Sequence, residues 1–148
     1  MIADAHCHFF SAGFFAALGR ETGLSGDAPA MLPARLGWTA PGTNRELADR
    51  WVAELDRHGV SRAMLIASVP GDDTSVAEAV AAHPTRIVGA FMVNPAAPDA
   101  PGRVERAVTE GGLRTICLFP AMHLVPVDDE RTSAILDVAA RYRRAVFV

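Results

Sequence analysis

The sequence predicts an α/β fold: the N-terminal part of a TIM (β/α)8 barrel with parallel strands, about four strand–helix units plus the start of a fifth strand. Three observations predict it. Short apolar runs alternate with helix-forming stretches from one end of the chain to the other. The runs are continuous rather than alternating in polarity, the pattern of parallel strands covered by helices. No G-x-G-x-x-G or Walker-type loop follows any run,. Right-handed crossovers leave two windings, a doubly wound sheet or a growing barrel. The missing phosphate loop removes the usual reason for the first, and the barrel is the preferred reading.

Ile2 to Phe9 opens as a short strand ending in histidines. Thr43 to His58 is an amphipathic helix with Leu47, Trp51 and Leu55 on one face,. Thr43 and Glu46 have capping-box spacing, and Gly59 is a natural stop,. Ser61 to Ser68 is a buried strand broken by Pro70-Gly71. Asp73 is placed to cap a helix from Thr74 to Ala82, which His83-Pro84 ends,. Arg86 to Val93 is the next strand, stopped by Asn94-Pro95. Pro101 to Glu110 follows as a helix with Pro at its first position and Gly111-Gly112 behind it,. Arg114 to Phe119 is a fourth strand ended by Pro120. Asp128 or Asp129 opens a helix to Arg144, and Ala145 to Val148 starts a fifth strand.

The chain is read as a single partial barrel domain over residues 1–148, with residues 10–42 a long loop or insertion after the first strand. Loops between a strand and its helix usually have about two to six residues. This one carries Phe14, Phe15, Leu18, Met31, Leu32 and Trp38. It reads either as a lid or pocket wall, or as a partly helical cover with a helix from Ala12 to Arg20.

A net charge of -3 offers no basic excess for nucleic acid or an anionic membrane,. The two cysteines, Cys7 and Cys117, lie in strand segments and make no disulfide framework,. That fits a reducing, cytoplasmic setting. The N-terminus has no signal-peptide pattern, and no apolar run is long enough to span a membrane,. A complete barrel needs about 250 residues. Ending at Ala145–Val148 would leave two apolar sheet edges unpaired,. The sequence is therefore expected to be part of a longer polypeptide, or else to form a homodimer of half-barrels.

Chemistry concentrates at His6 and His8. Alternation along a strand points both to one face, with Ala5, Cys7 and Phe9 on the other,. Two imidazoles about 7 Å apart along a strand can converge on one divalent ion. Neutral imidazole suits Zn, Fe, Ni or Co. The pair is also what two ordinary histidines near a strand end would look like. Its position at the C-terminal end of the first strand, where barrel active sites sit, favours the metal.

Ile2-Ala3-Asp4-Ala5-His6-Cys7-His8-Phe9-Phe10 resembles the opening strand of the amidohydrolase superfamily. The resemblance is to its amidohydrolase-related branch, which includes metal-dependent hydrolases and aminocarboxymuconate-semialdehyde decarboxylase-like enzymes. Phe91 to Pro95 is similar to that branch's third-strand ending, and Phe119 to His123 with Asp128-Asp129 to its fourth-strand loop. The resemblance covers the N-terminal half of such a protein. It implies metal ligands at His6 and His8, with zinc the leading choice. It also implies two later histidines and a late aspartate for metal binding and proton transfer, all beyond Val148. The catalytic acid or base is therefore unknown from these residues, and this chain alone is expected to be inactive.

His123 follows the fourth strand and is a candidate contact for a substrate carboxylate or carbonyl oxygen; the alternative is a loop histidine without a role. Asn94 is a candidate substrate hydrogen-bonder, although before Pro95 it is a natural turn former,. His58 and His83 end helices and read as structural,. Cys7 points away from the histidines and reads as packing.

The leading expectation is a metal-dependent hydrolase acting on an amide, ester or lactone carbon of a small molecule. Non-oxidative decarboxylation at the same site is one alternative, an inactive half-barrel fragment another. A phosphoesterase or nuclease barrel would need more carboxylates and basic residues at the mouth.

Overall fold

The computed structural model describes all residues, 1–148. Five parallel strands form one sheet in the order β1 (Ala3–Phe9), β2 (Arg62–Ala67), β3 (Ile87–Val93), β4 (Thr115–Leu118) and β5 (Ala145–Phe147). Each strand pairs with the next in sequence, the consequence of successive right-handed crossovers,. The sheet is curled. In a flat sheet four strand spacings would separate β1 from β5 by about 19 Å. Instead the rings of His6 and Phe147 lie 5.2 Å apart across the concave face. This is the first half of a barrel, as the alternation predicts.

Seven helices accompany the sheet: α1 (Ala12–Glu21), α2 (Ala28–Arg35), α3 (Asn44–Arg57), α4 (Asp73–Ala82), α5 (Ala100–Thr109), α6 (Pro120–His123) and α7 (Glu130–Arg141). Of these, α3, α4, α5 and α7 cover its convex face, while α1 and α2 lie in the segment after β1 and α6 follows β4. The main core lies between sheet and helices: Leu65, Phe91, Ile116 and Leu118 meet Leu55, Val76, Val104 and Ile135. A smaller apolar set, Ile66, Ala90 and Cys117 with Met64 and Phe119, lines the concave face. Gly89 of β3 lets α4 approach closely: a Cβ there would sit 2.9 Å from both Val76 and Val80.

The Thr43–Glu46 capping box forms, with Glu46 N–H donating to Thr43 Oγ1 at 3.2 Å and Thr43 N–H to Glu46 Oε2 at 2.8 Å. Gly59 takes the left-handed conformation that ends α3, at φ 67°. Elsewhere the boundaries shift. Asp73 is the first residue of α4 rather than its cap, and binds Arg103 at 2.8 and 2.5 Å. The last helix ends at Arg141, because Arg143 turns left-handed at φ 53°. The segment after Phe119 winds into one helical turn, α6. The 10–42 segment holds two helices: α1 matches the Ala12–Arg20 expectation, and α2 is a second helix beyond it. No helix is long and apolar enough to cross a membrane.

Strict alternation fails in β1. Asp4 pairs with Ala63 and Cys7 with Leu65, so Ala5 and His6 together oppose one residue of β2. This β-bulge adds a residue and sharpens the local twist. Asp4 helps to fix it by accepting the His6 N–H at 3.0 Å. Asp4 and Cys7 consequently lie on the same side as Ala63 and Leu65, the side facing the helices.

Candidate metal centre

The bulge does not separate the two histidines. Their ring centroids lie 5.2 Å apart, edge to face. His8 pairs in register with Ile66 of the concave apolar set, and His6 meets Phe147 across that face. Both sit at the C-terminal half of β1, where the loops that follow the strands converge.

Ser68 holds the ring of His8: its Oγ lies 2.8 Å from His8 Nδ1 and 3.0 Å from the Ile66 carbonyl. With the hydroxyl proton on that carbonyl, Nδ1–H donates to Ser68 and the lone pair of Nε2 is left for a cation. Metal-binding histidines are commonly oriented through the other ring nitrogen in this way. Burial, and secondarily the neighbouring His6, lower the pKa of His8 and favour the neutral form a ligand needs,.

The donor set fits a divalent transition metal in kind but is small. No group of three or more His, Cys, Asp or Glu residues comes together in the chain. A catalytic zinc usually takes three protein ligands. Cys7 is no candidate: it packs on the helix side, and burial together with the Asp4 carboxylate pushes its thiol up to about 12. Cys117 is buried and pushed up to about 11.

The other two sequence candidates stand apart from the pair, joined to it by no hydrogen bond or ring contact. Asn94 Oδ1 accepts the Ala96 N–H at 2.9 Å, the turn expected before Pro95. His123 ends α6, with a buried Nδ1 that has no hydrogen-bond partner, and burial lowers its pKa. His58 and His83 pair with Glu54 at 3.0 Å and Asp49 at 2.6 Å, structural contacts on the helical layer.

Sequence reading missed three features. Ser68 is visible as a contact only once the β1–β2 register is known. Ser11 and Ser75, both buried, donate to the Asp72 carboxylate and thereby tie the start of α1 to the start of α4. Ser11 also caps α1 by accepting the Phe14 N–H at 3.0 Å. Burial holds the Asp72 carboxyl above its usual range. Third, Phe10 stacks on His8 with centroids 5.5 Å apart and planes 5° from parallel, and Trp38 stacks on Phe10 at 6.0 Å.

Comparison with known proteins agrees with this architecture. The 5-carboxyvanillate decarboxylase of Sphingomonas paucimobilis is similar with a TM-score of 0.73 and 20% identity, over 99% of this chain and 51% of that one. The enzyme of the same name from Novosphingobium aromaticivorans, with manganese and 3-methoxy-4-hydroxy-5-nitrobenzoic acid bound, gives 0.71 and 16%, over 100% and 50%. A probable 2-pyrone-4,6-dicarboxylic acid hydrolase of Acinetobacter baumannii with bound citric acid gives 0.65 and 15%, over 98% and 48%. The chain thus spans about half the length of these structures. No curated protein matches the sequence. Residues 3–148 match the amidohydrolase family, and the chain, half-barrel and histidine pair together, belongs to it.

Proposed function

We propose that this chain supplies the first half of the active site of a metal-dependent hydrolase, with His6 and His8 as two ligands of a divalent ion, zinc in first place. The observation that carries the reading is the histidine pair at the mouth of the concave face, with His8 Nδ1 tied to Ser68 and Nε2 free. An ion held there supplies Lewis-acid polarisation of a carbonyl and acidifies water, the chemistry of amide, ester or lactone cleavage. The chain's own residues hold and orient. Ser68 sets the His8 ring, and the bulge anchored by Asp4 aims His6. Asn94 and His123 are proposed as substrate contacts; His123 keeps a ring nitrogen without a hydrogen-bond partner. The further ligands and the acid or base belong to the part of the family fold that this chain does not span.

Decarboxylation of a carboxylic acid at the same site is the second reading. Two of the similar structures are 5-carboxyvanillate decarboxylases, one with manganese bound, and that supports it. Both readings are tested on the full-length protein loaded with zinc or manganese. Ester, lactone and amide cleavage is assayed beside CO2 release from aromatic acids. His6→Ala and His8→Ala should each abolish whichever activity is found. Activity that survives both substitutions would refute the metal-site reading.

A further inference from the structure

All 14 basic residues of the chain are arginines, and seven of them are ion-paired to Asp or Glu. Of the remaining seven, four stand at the N-terminal ends of β2, β4 and β5: Arg62, Arg114, Arg143 and Arg144. That end is the foot of the sheet, opposite the histidine pair. Arg62 is the first residue of β2. Arg114 leads into β4, and its N–H donates to the Gly89 carbonyl of β3 at 2.9 Å. Both arginines line one cavity of ≈ 320 Å³, together with Thr85, Gly112 and the apolar Val80 and Val88. No Asp or Glu lines it. Asp56 is taken up by Arg86 at 2.6 Å, and Glu110, the carboxylate nearest to Arg114 in sequence, lines the grooves beside α4 instead. Arg144 runs beside Arg114, since the Ala145 N–H donates to the Arg114 carbonyl at 3.2 Å, and its Nε is buried without an acceptor. The net charge of -3 conceals this local excess of cations.

Like charges on neighbouring strands repel, and an anion placed between them reverses the sign of the interaction. Guanidinium presents parallel N–H donors that match phosphate oxygens two at a time. Small-molecule sites begin at about 300 Å³, so the cavity holds more than a bare ion. We propose that the cavity at the foot of β2, β3 and β4 is a binding site for a small phosphate monoester, its phosphate between Arg62 and Arg114 and its organic part against Val80 and Val88. Arg62 and Ser68 lie six residues apart on β2, about 20 Å, so a ligand here does not reach the histidine pair and is not the substrate. Each of the three strands has both its neighbours within this chain, so every strand that builds the site is present. The proposal stands apart from the metal-site reading and from the choice between hydrolase and decarboxylase.

The test is isothermal titration of the metal-loaded full-length protein with glycerol 3-phosphate, inorganic phosphate and glycerol, at about 0.15 M salt to screen diffuse attraction. Glycerol 3-phosphate should bind saturably, inorganic phosphate more weakly and glycerol not at all. Arg62→Ala and Arg114→Ala should each weaken the ester about tenfold, and Arg114→Lys, which keeps the charge but not the fork, should recover only part. Arg35→Ala removes an exposed arginine of α2 that also lacks an ion pair, and should change nothing. Arg62 and Arg114 are exposed, so the variants should unfold in denaturant like the parent and lose only the ligand-induced stabilisation,. The His6→Ala, His8→Ala double variant should keep its affinity for the ester. Loss of binding in that double variant would place the phosphate on the metal and overturn the proposal. So would the absence of saturable binding, an equal loss in Arg35→Ala, or Arg62→Ala and Arg114→Ala without effect. Inorganic phosphate bound as tightly as the ester would overturn its organic half.

Discussion

Ser68→Ala isolates the support that the fold gives to a metal ligand. The Ser68 hydroxyl oxygen lies 2.8 Å from His8 Nδ1 and 3.0 Å from the Ile66 carbonyl. Alanine removes both bonds and leaves the imidazole free to rotate away from the pair. A typical hydrogen bond contributes about 0.5–1.5 kcal/mol net, equivalent to roughly a two- to thirteenfold change in affinity. Partners that orient metal-binding histidines are worth about 10- to 100-fold. The two ranges meet near tenfold, which is the expected weakening of zinc binding. Ser68→Thr keeps the hydroxyl and should recover most of it. The assay is competition with a chromophoric chelator on the full-length protein, with denaturant unfolding alongside to show that the fold is kept. Zinc affinity within twofold of the parent in Ser68→Ala, with His8→Ala losing the metal, would refute the tautomer and orientation argument.

Three further outcomes follow from the same geometry. Gly89→Ala forces a Cβ against Val76, Val80 and Leu113 in the tightly packed contact of β3 with α4. It should cost about 1–3 kcal/mol in urea unfolding, and a change below about 0.5 kcal/mol would contradict the packing described. Asp72 has a folded pKa raised by burial, so its contribution to stability is present below about pH 4 and is lost as pH rises through the folded value,. Asp72→Asn cannot ionise and keeps an acceptor for Ser11. It should gain stability relative to the parent as pH rises above about 4, and a difference that does not change with pH would sink the argument. Burial pushes the thiols of Cys7 and Cys117 up to about 12 and about 11, so both should react with a thiol reagent far more slowly folded than unfolded,. Rapid labelling of Cys7 in the native protein would place it outside the helix-facing layer.

The repeat of strands and helices was legible because each β-run is apolar throughout and each long helix carries its own punctuation, such as the Thr43–Glu46 box and Gly59. Helix α2 was not, because Pro29 and Pro33 fall within eight residues. Pro29 is harmless there, lying in the first turn after the Asp27 cap, where an N–H has no intrahelical partner,. The end of α7 carries no glycine to mark it; the left-handed turn falls on Arg143. The shared direction of His6 and His8 could be read from alternation, but the bulge that turns Asp4 to the helix side could not. It depends on Asp4 accepting the His6 N–H and on the register with β2. Ser68, Asp72 and the Phe10–Trp38 stack are contacts between segments distant in sequence, which no local pattern encodes.

X-ray absorption at the metal edge of the full-length protein addresses the histidine pair itself. With zinc bound, the first shell should contain at least two imidazole nitrogens at about 2.0–2.1 Å. The His6→Ala, His8→Ala double variant should lose them along with stoichiometric metal. A double variant that keeps its metal and an unchanged imidazole shell would show that the ion is held elsewhere.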